Sequence, residues 1–450
     1  MTDSMPPAPD DIPAPPVVKK QRRKFRWKAL FAFNIALSVV AVAAGSALFY
    51  ANYRLSNRQV VTIDQVETRS DDLNLPVGDL TAKNYLVTGS DNAACIDPDS
   101  PYAGSIGDRT AGGERSDTIM VIRVNPLDGQ AAILSFPRDL WVSLADSTRK
   151  NRINVAFDRK NPNRLIRTIK QNFDIPIDHY VNIDFCAFTE IVDALGGVRV
   201  PFEYRARDLS SGFRVNRVGC YEFNGDHALA YVRSRHYRYF DPEEDKWISE
   251  GIGDWARISR QQDFIKRMAK RANQEATSSP RAVAGILNSA LKNVITDDRL
   301  SPLMLLQLGE AMRDYDSSTM GSYTVQGKGV VLYEGTEDQK SVIMPVIDSK
   351  KMKDVLAIFQ GKATMAAAPS SDESTPEEKQ DVIATATTLA AVTTTIAPNN
   401  NSSAPKSTTT TPSNTPRTTA PPTTTTSTTI VVSVENDVRG ITPPADPNCY

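Results

Sequence analysis

Acids and arginines recur in this chain at the ends of apolar runs, where a folded protein presents side chains along the rim of a sheet. The stretch RSDTIMVIRVNPLDGQAAILSFPRD, residues 115–139, opens on Arg115 and Asp117 and closes on Arg138 and Asp139. Asp91 ends an earlier apolar run, NYLVTGSD, and Arg233, Arg235, Asp254, Arg257 and Gln261 follow downstream. These residue types suit phosphate chemistry. Planar guanidinium forks bind phosphate oxygens in pairs. Two carboxylates, Asp91 and Asp117, suit one hard divalent cation such as Mg2+, which shares its shell with water and phosphate oxygens. In phosphoryl transfer the protein's work is mostly positioning and charge stabilisation. Plainer readings stand beside this one. Residues 115–139 alone fit a surface salt-bridge cluster equally well, and Arg233 and Arg235 after a helix would offset its dipole. Arg260, Lys266 and Arg267 read as a solvated face, and Asp128 as turn chemistry.

The elements that must position these groups follow from the pattern between them. Asn-Pro-Leu-Asp-Gly at 125–129 is turn chemistry, because Pro presets one dihedral and Gly accepts the positive one. Thr118–Val124 and Ala131–Phe136 therefore read as adjacent strands whose outer ends bring Arg115, Asp117, Arg138 and Asp139 to one sheet edge. Asn84–Asp91, Asp178–Ile183 and Val198–Phe202 read as further strands. Arg164–Phe173 and Phe185–Leu195 have helical apolar spacing, and Gly196-Gly197 ends the second. Asn224-Gly225-Asp226 starts a helix striped by Ala228, Leu229 and Val232. A polar, aromatic loop, Tyr237–Gly253, leads to a long helix from Asp254 to about Glu275, on which Arg257 and Gln261 share a face. Two amphipathic helices are expected within 281–308, two strands within Tyr323–Val346, and a last helix at Lys351–Phe359. Strands alternating with helices predict an α/β domain, a central mixed sheet flanked by helices.

Lys and Arg number 52 against 53 Asp and Glu, so there is no global electrostatic footprint for nucleic acid. His179, His227 and His236 are scattered, without metal-ligand spacing. Residues 1–28 are polar and end in the basic run KKQRRKFRWK; Ala29–Ala51 is then almost wholly apolar. At ~1.5 Å per residue this run reaches ~34 Å, enough to cross a bilayer core. The flanking positive charge predicts a cytoplasmic N-terminus and an extracytoplasmic remainder. Residues 52–82 form a connector, 83–362 the catalytic domain, and 363–450 a disordered Ala/Thr/Pro-rich tail. Disulfides persist in such a location. Four cysteines allow three full pairings, and the sequence does not choose among them. The polar surroundings of Cys95 and Cys220 favour that pair, while Cys186 reads as core and Cys449 as tail.

RSDT, SFPRD, INVAF, VNIDF, VDALGGV, GDHALAYVRSR and D-x-x-R-x-x-RQ occur in that order, and the chain resembles the LytR–CpsA–Psr family over roughly residues 83–275, less distinctly to about 360. The resemblance implies a Mg2+-dependent transferase that moves a glycopolymer from polyprenyl pyrophosphate onto peptidoglycan through a phosphodiester. It implies a hydrophobic tunnel for the polyprenyl chain with the pyrophosphate at its mouth. By motif, Asp91 and Asp117 would ligate the metal. Arg115, Arg138, Arg152, Arg233, Arg235, Arg257 and Gln261 would hold the phosphates, and Asp254 would support the arginines. Arg115 and Arg138 would be catalytic, and Asp139 is the candidate base. The loop between Arg235 and Asp254 is longer than the family's usual one. The polymer is not specified; arabinogalactan, teichoic acid and capsule remain open. A pyrophosphatase, or a non-enzymatic lipid-pyrophosphate-binding envelope regulator, would use the same groups.

Overall fold

The computed structural model describes residues 59–64, 81–92, 95, 99–100, 116–278, 294–366, 430–444, 446 and 449. Its centre is a seven-stranded sheet: β1 Val60–Val61, β2 Lys83–Ser90, β3 Ser116–Asn125, β4 Gln130–Phe136, β5 His179–Asp184, β6 Ile295–Asp297 and β7 Gly321–Thr324, in the order β1-β6-β5-β2-β3-β4-β7. β5 runs parallel to β2, β3 antiparallel to β2 and β4, and β7 parallel to β4, so the sheet is mixed. The β3–β4 connection is the expected tight turn. Asn125 Nδ2 donates to Asp128 at 2.6 Å, and Gly129 takes φ +58°. That makes Asp128 a turn residue.

Alternation along the strands gives the sheet two apolar faces. Ile119, Val121, Leu134 and Phe136 turn to one core with Ile166, Ile169 and Phe173 of helix α1 (Asn163–Phe173) and with Val355 and Phe359 of a later helix, Lys350–Phe359. The opposite face meets α2 (Phe185–Ala194) and α4 (Asp254–Ser278), with α3 (Gly225–Val232) packed beside them. Asp184 caps α2 by accepting from Ala187 N at 2.8 Å, and Asn224 caps α3 by accepting from His227 N at 3.0 Å. Gly196 and Gly197, at φ +71° and +90°, terminate α2. α3 lies against α2 at Gly225, where a Cβ would come within 2.5 Å of the Thr189 carbonyl oxygen. A glycine there permits the contact.

Four expectations are corrected. The Tyr237–Gly253 loop is a hairpin, Arg238–Asp241 and Lys246–Ser249, that joins Ala206–Asp208 and Phe213–Val215 in a four-stranded sheet. Its outer face carries Arg238, Phe240, Trp247 and Ser249, so no alternating apolar pattern marked it. Arg260 is 0% exposed and pairs with Glu250 Oε2 at 2.8 Å, so it is no solvated-face residue. The disulfides join Cys95 to Cys186 and Cys220 to Cys449, Cα atoms 5.6 and 5.5 Å apart, in place of Cys95–Cys220. Cys186 sits on the first turn of α2 beside the segment after β2, and Cys449 returns to the strand at 219–223. Lastly, the end of the expected tail is ordered: Ile430–Val432 pairs in parallel with Ala363–Met365. Ala29–Ala51 lies outside the described residues, and among those no helix is long and apolar enough to cross a membrane.

Candidate active site

The ends of β2 and β3, the turn after α3 and the start of α4 converge. Asp117, on β3, is the hub. Its Oδ1 accepts from Arg138 at 2.7 Å and its Oδ2 from Arg235 at 2.8 Å, with Arg257 Nη1 at 3.7 Å. Arg257 also donates to the Asp117 carbonyl at 2.8 Å. Burial opposes the charge on Asp117, but Arg257, Arg235 and Arg138 outweigh it and hold its pKa at about 2. Arg257 is 2% exposed, and burial lowers its pKa to about 10 against the pull of Asp254 and Asp117. It still carries its charge at neutral pH. Asp254, in the first turn of α4, braces the cluster at 2.8 Å from Arg257 and 3.2 Å from Arg235.

These groups surround a polar cavity of about 200 Å³, lined by Ser90, Asp91, Asp117, Thr118, Asp208, Arg233, Arg235, Arg257 and Gln261 among others. Asp91, 7% exposed, lies at the end of β2. The Arg233 guanidinium stacks over the Phe185 ring, 4.8 Å from its centroid. Gln261 donates to Thr118 Oγ1 at 3.0 Å and to the Val232 carbonyl at 3.1 Å, tying α4 to β3 and α3. Arg138 meets the cavity through Asp117. Arg152 and Asp139 sit behind it. Asp139 pairs with Arg138 at 3.4 Å and with Arg152 at 3.3 Å, and neither Asp139 nor Arg152 lines the cavity. Arg115 lies outside the described residues.

The sequence did not mark Asp208, because no apolar run precedes it. Its carboxylate accepts from Ser234 Oγ at 2.8 Å and from the backbone N–H groups of Arg235 and His236 at 2.9 and 2.8 Å. Burial opposes its charge, but the His236 N–H, Ser234 and its other donors hold its pKa below the ordinary carboxylate range. Asp208 thus fixes the turn that aims Arg233 and Arg235.

The cavity opens onto an apolar cleft of about 380 Å³ between the sheet and helices α2, α3 and α4. Val87, Met120 and Ile122 form its floor; Phe188, Ile191, Leu229, Phe264, Ile265 and Met268 form its walls. Gly89, Thr118, Phe185, Arg233 and Gln261 border both spaces. A side chain added at Gly89 would meet Thr118 Cβ at 3.1 Å, at the junction.

The family model LytR_cpsA_psr matches residues 50–368. The chain belongs to the LytR–CpsA–Psr family. Among curated relatives, the polyisoprenyl-teichoic acid–peptidoglycan teichoic acid transferase TagU of Halalkalibacterium halodurans is 29% identical over 284 residues, 62% of this chain and 83% of that protein. TagV of Bacillus subtilis, which carries the same transferase name, is 29% identical over 224 residues, 48% of this chain and 53% of that protein. The chain thus spans about half the length of the second relative. Among solved structures, a LytR-Csp2A-Psr enzyme from Actinomyces oris shares 21% identity at a TM-score of 0.49, covering 67% of this chain and 96% of that one. The family match ends near Ala368, so the described residues at 430–444, 446 and 449 lie beyond it.

Proposed function

We propose that this protein transfers a glycopolymer from a polyprenyl-pyrophosphate carrier to peptidoglycan, forming a phosphodiester. The observation that carries the reading is the junction of an arginine-ringed polar cavity with an apolar cleft across Gly89, Thr118, Phe185, Arg233 and Gln261. A ligand that fills both is apolar at one end and polyanionic at the other, as a polyprenyl pyrophosphate is. The names of the TagU and TagV relatives point the same way.

In this reading an acceptor hydroxyl forms a bond to the sugar-bearing phosphorus while the bridging P–O bond to the polyprenyl phosphate breaks, and the hydroxyl proton leaves with the departing polyprenyl phosphate. Arg138, Arg233, Arg235 and Arg257 stabilise charge on the two phosphates. Asp254 holds Arg235 and Arg257, and Asp208 the turn that carries Arg235, before substrate arrives, so little reorganisation accompanies the reaction. Asp91 and Asp117 are the carboxylates that would hold Mg2+. With two carboxylates as its protein ligands, such an ion would complete its shell from water and phosphate oxygens. Bound there, the ion would neutralise phosphate charge. The apolar run at 29–51 would anchor the chain in one pass, with the catalytic domain outside the cell membrane.

The test uses the full-length protein in detergent with a polyprenyl-pyrophosphate glycan and peptidoglycan fragments, with and without Mg2+, read by mass spectrometry. Wild type forms a phosphodiester-linked product. Arg138→Ala, truncated at a side chain 31% exposed, keeps its melting temperature within a few degrees and loses about 10²–10³-fold in turnover. Release of glycan phosphate without acceptor would make the protein a pyrophosphatase. Tight binding with no product would make it a lipid-pyrophosphate-binding regulator.

A further inference from the structure

The segment between Arg235 and Asp254 helps build a surface that the catalytic reading does not use. In the four-stranded sheet Arg214 lies opposite Arg207, Arg207 opposite Arg238, and Arg238 opposite Ser249. Directly opposed residues share a face, so three arginines form a row across three strands. Phe240 and Trp247 are opposed on the same face, since Phe240 is two residues from Arg238 and Trp247 two from Ser249. Arg205 joins them, its guanidinium 3.7 Å from the Phe240 ring centroid, while that of Arg207 lies 4.0 Å from the Trp247 centroid. The other face of this sheet is core, carrying Ala206, Phe213 and Val215.

Like charges directly opposed on neighbouring strands are unfavourable, and among the described residues none of these four arginines makes an ion pair. The acids at the hairpin tip are engaged elsewhere: Asp241 accepts from Glu243 N at 2.8 Å, and Glu244 pairs with Lys246. Arg207 Nε is buried without a hydrogen-bond partner. Stacking on Phe240 and Trp247 fixes the Arg205 and Arg207 guanidinium planes and leaves their N–H edges as the donors. The row also lies directly behind the active site. Arg207 precedes Asp208, which lines the polar cavity, and successive strand residues face opposite ways, so the wall between the two is one sheet thick.

We propose that this face binds the polymer part of the donor, and that the polymer is anionic, with repeating phosphodiester groups. The inference rests on the transferase reading, which supplies a polymer attached to the pyrophosphate in the cavity behind this sheet. Charge complementarity selects the occupant. A membrane surface is the poorer match, because the Trp247 ring is held by Arg207 stacked over it and by an edge contact with Phe240.

The test uses the full-length protein and free poly(glycerol phosphate), which has neither lipid nor pyrophosphate. Binding is followed by calorimetry at two ionic strengths, with a neutral dextran as control. Wild type binds the polyanion in a salt-sensitive manner and ignores dextran. The variant Arg205→Glu/Arg238→Glu, changed at two exposed positions, binds about tenfold or more weakly, having lost charge-assisted contacts. Arg205→Gln/Arg238→Gln, a milder change should the reversal fail to fold, weakens binding in the same direction. Turnover of a short, neutral lipid-pyrophosphate disaccharide is unchanged in both variants. That arm reads the catalytic proposal separately: no turnover by wild type sinks the transferase reading, while polymer binding still reports on the face. Equal polymer binding by wild type and both variants overturns the inference. So does loss, in the variants, of binding to phosphatidylglycerol vesicles but not to the polymer, which would assign the face to the membrane.

Discussion

Asp117 gathers three guanidinium groups, and its own titration depends on them. Its pKa in the folded protein, about 2, lies below its ordinary value of 3.8. A group depressed on folding contributes stability that is fully present above its unfolded pKa and is lost as the pH falls through the folded one. The contribution of Asp117 is therefore whole above about pH 4 and disappears toward about pH 2. Asp117→Asn should lower stability at pH 7 and lose less of what remains between about pH 4 and pH 2. Chemical denaturation at several pH values checks this, and parallel pH slopes for wild type and variant would remove the arginines from the account. At this scale the sequence was legible where chemistry sits at strand ends. Asp91, Asp117, Arg233, Arg235, Arg257 and Gln261 all reach one cavity because the ends of β2 and β3, the turn after α3 and the first turns of α4 meet there. Asp208 was not legible. It makes no ion pair in the cluster and works through the backbone N–H groups of Arg235 and His236, a contact 27 and 28 residues away in sequence.

The elements are held in register by a buried ion pair that no periodicity reveals. Arg260 reads as one more charge on a helix already carrying Arg257, Arg267 and Arg271. Only Glu250, ten residues earlier, explains it. Arg260 donates to Glu250 and, at 2.9 Å, to the Ser234 carbonyl, so α4 is fastened to the turn that carries Arg233 and Arg235. Removing one partner leaves an uncompensated buried charge, which costs about 3–5 kcal/mol, whereas replacing both with apolar side chains of similar volume is often near neutral. Glu250→Gln and Arg260→Met should each lower stability by several kcal/mol in denaturant titration, and Glu250→Leu/Arg260→Met should recover most of that loss. The double variant should still turn over more slowly than wild type, because the Ser234 carbonyl has lost its donor. Additive single and double effects would mean that the two residues act independently. The strands and helices around this pair were legible from their apolar spacing. The 238–249 hairpin was not, since its outward residues are Arg238, Phe240, Trp247 and Ser249, a face patterned by charge and aromatics instead of by polar-apolar alternation.

Across the whole molecule the chain end closes onto the domain. Three residues of parallel pairing at 430–432 would be marginal alone. They are reinforced where Arg439 stacks 4.1 Å over Trp255 and its N–H donates to Ser259, and where the Ile441 N–H reaches Glu250. Gly440, at φ +76°, lets the backbone pass so close that a Cβ would lie 2.7 Å from Ala256 Cβ. The segment thus presses on the first turns of α4 and on the partner of Arg260, next to Asp254 and Arg257. Composition predicted a structureless tail because Thr- and Pro-rich sequence separates the segment from the domain, and contacts across such a gap leave no periodic trace. The Cys220–Cys449 bond spans 229 residues of sequence, and in the chain-entropy view a loop of that size contributes roughly 5 kcal/mol. A covalent consequence follows. A site-specific protease sequence inserted after Thr410 cuts the chain between its two paired strands, so the fragment bearing Cys449 is held only by the disulfide once the protein is denatured. On a denaturing gel without reductant the cut protein should migrate as one band, and with reductant as two. Cys449→Ser should give two bands in both lanes. Two bands from the cut wild type without reductant would show that Cys449 is not bonded to Cys220, and the chain end would then rest on the Ile430–Val432 pairing and the Arg439 and Ile441 contacts alone.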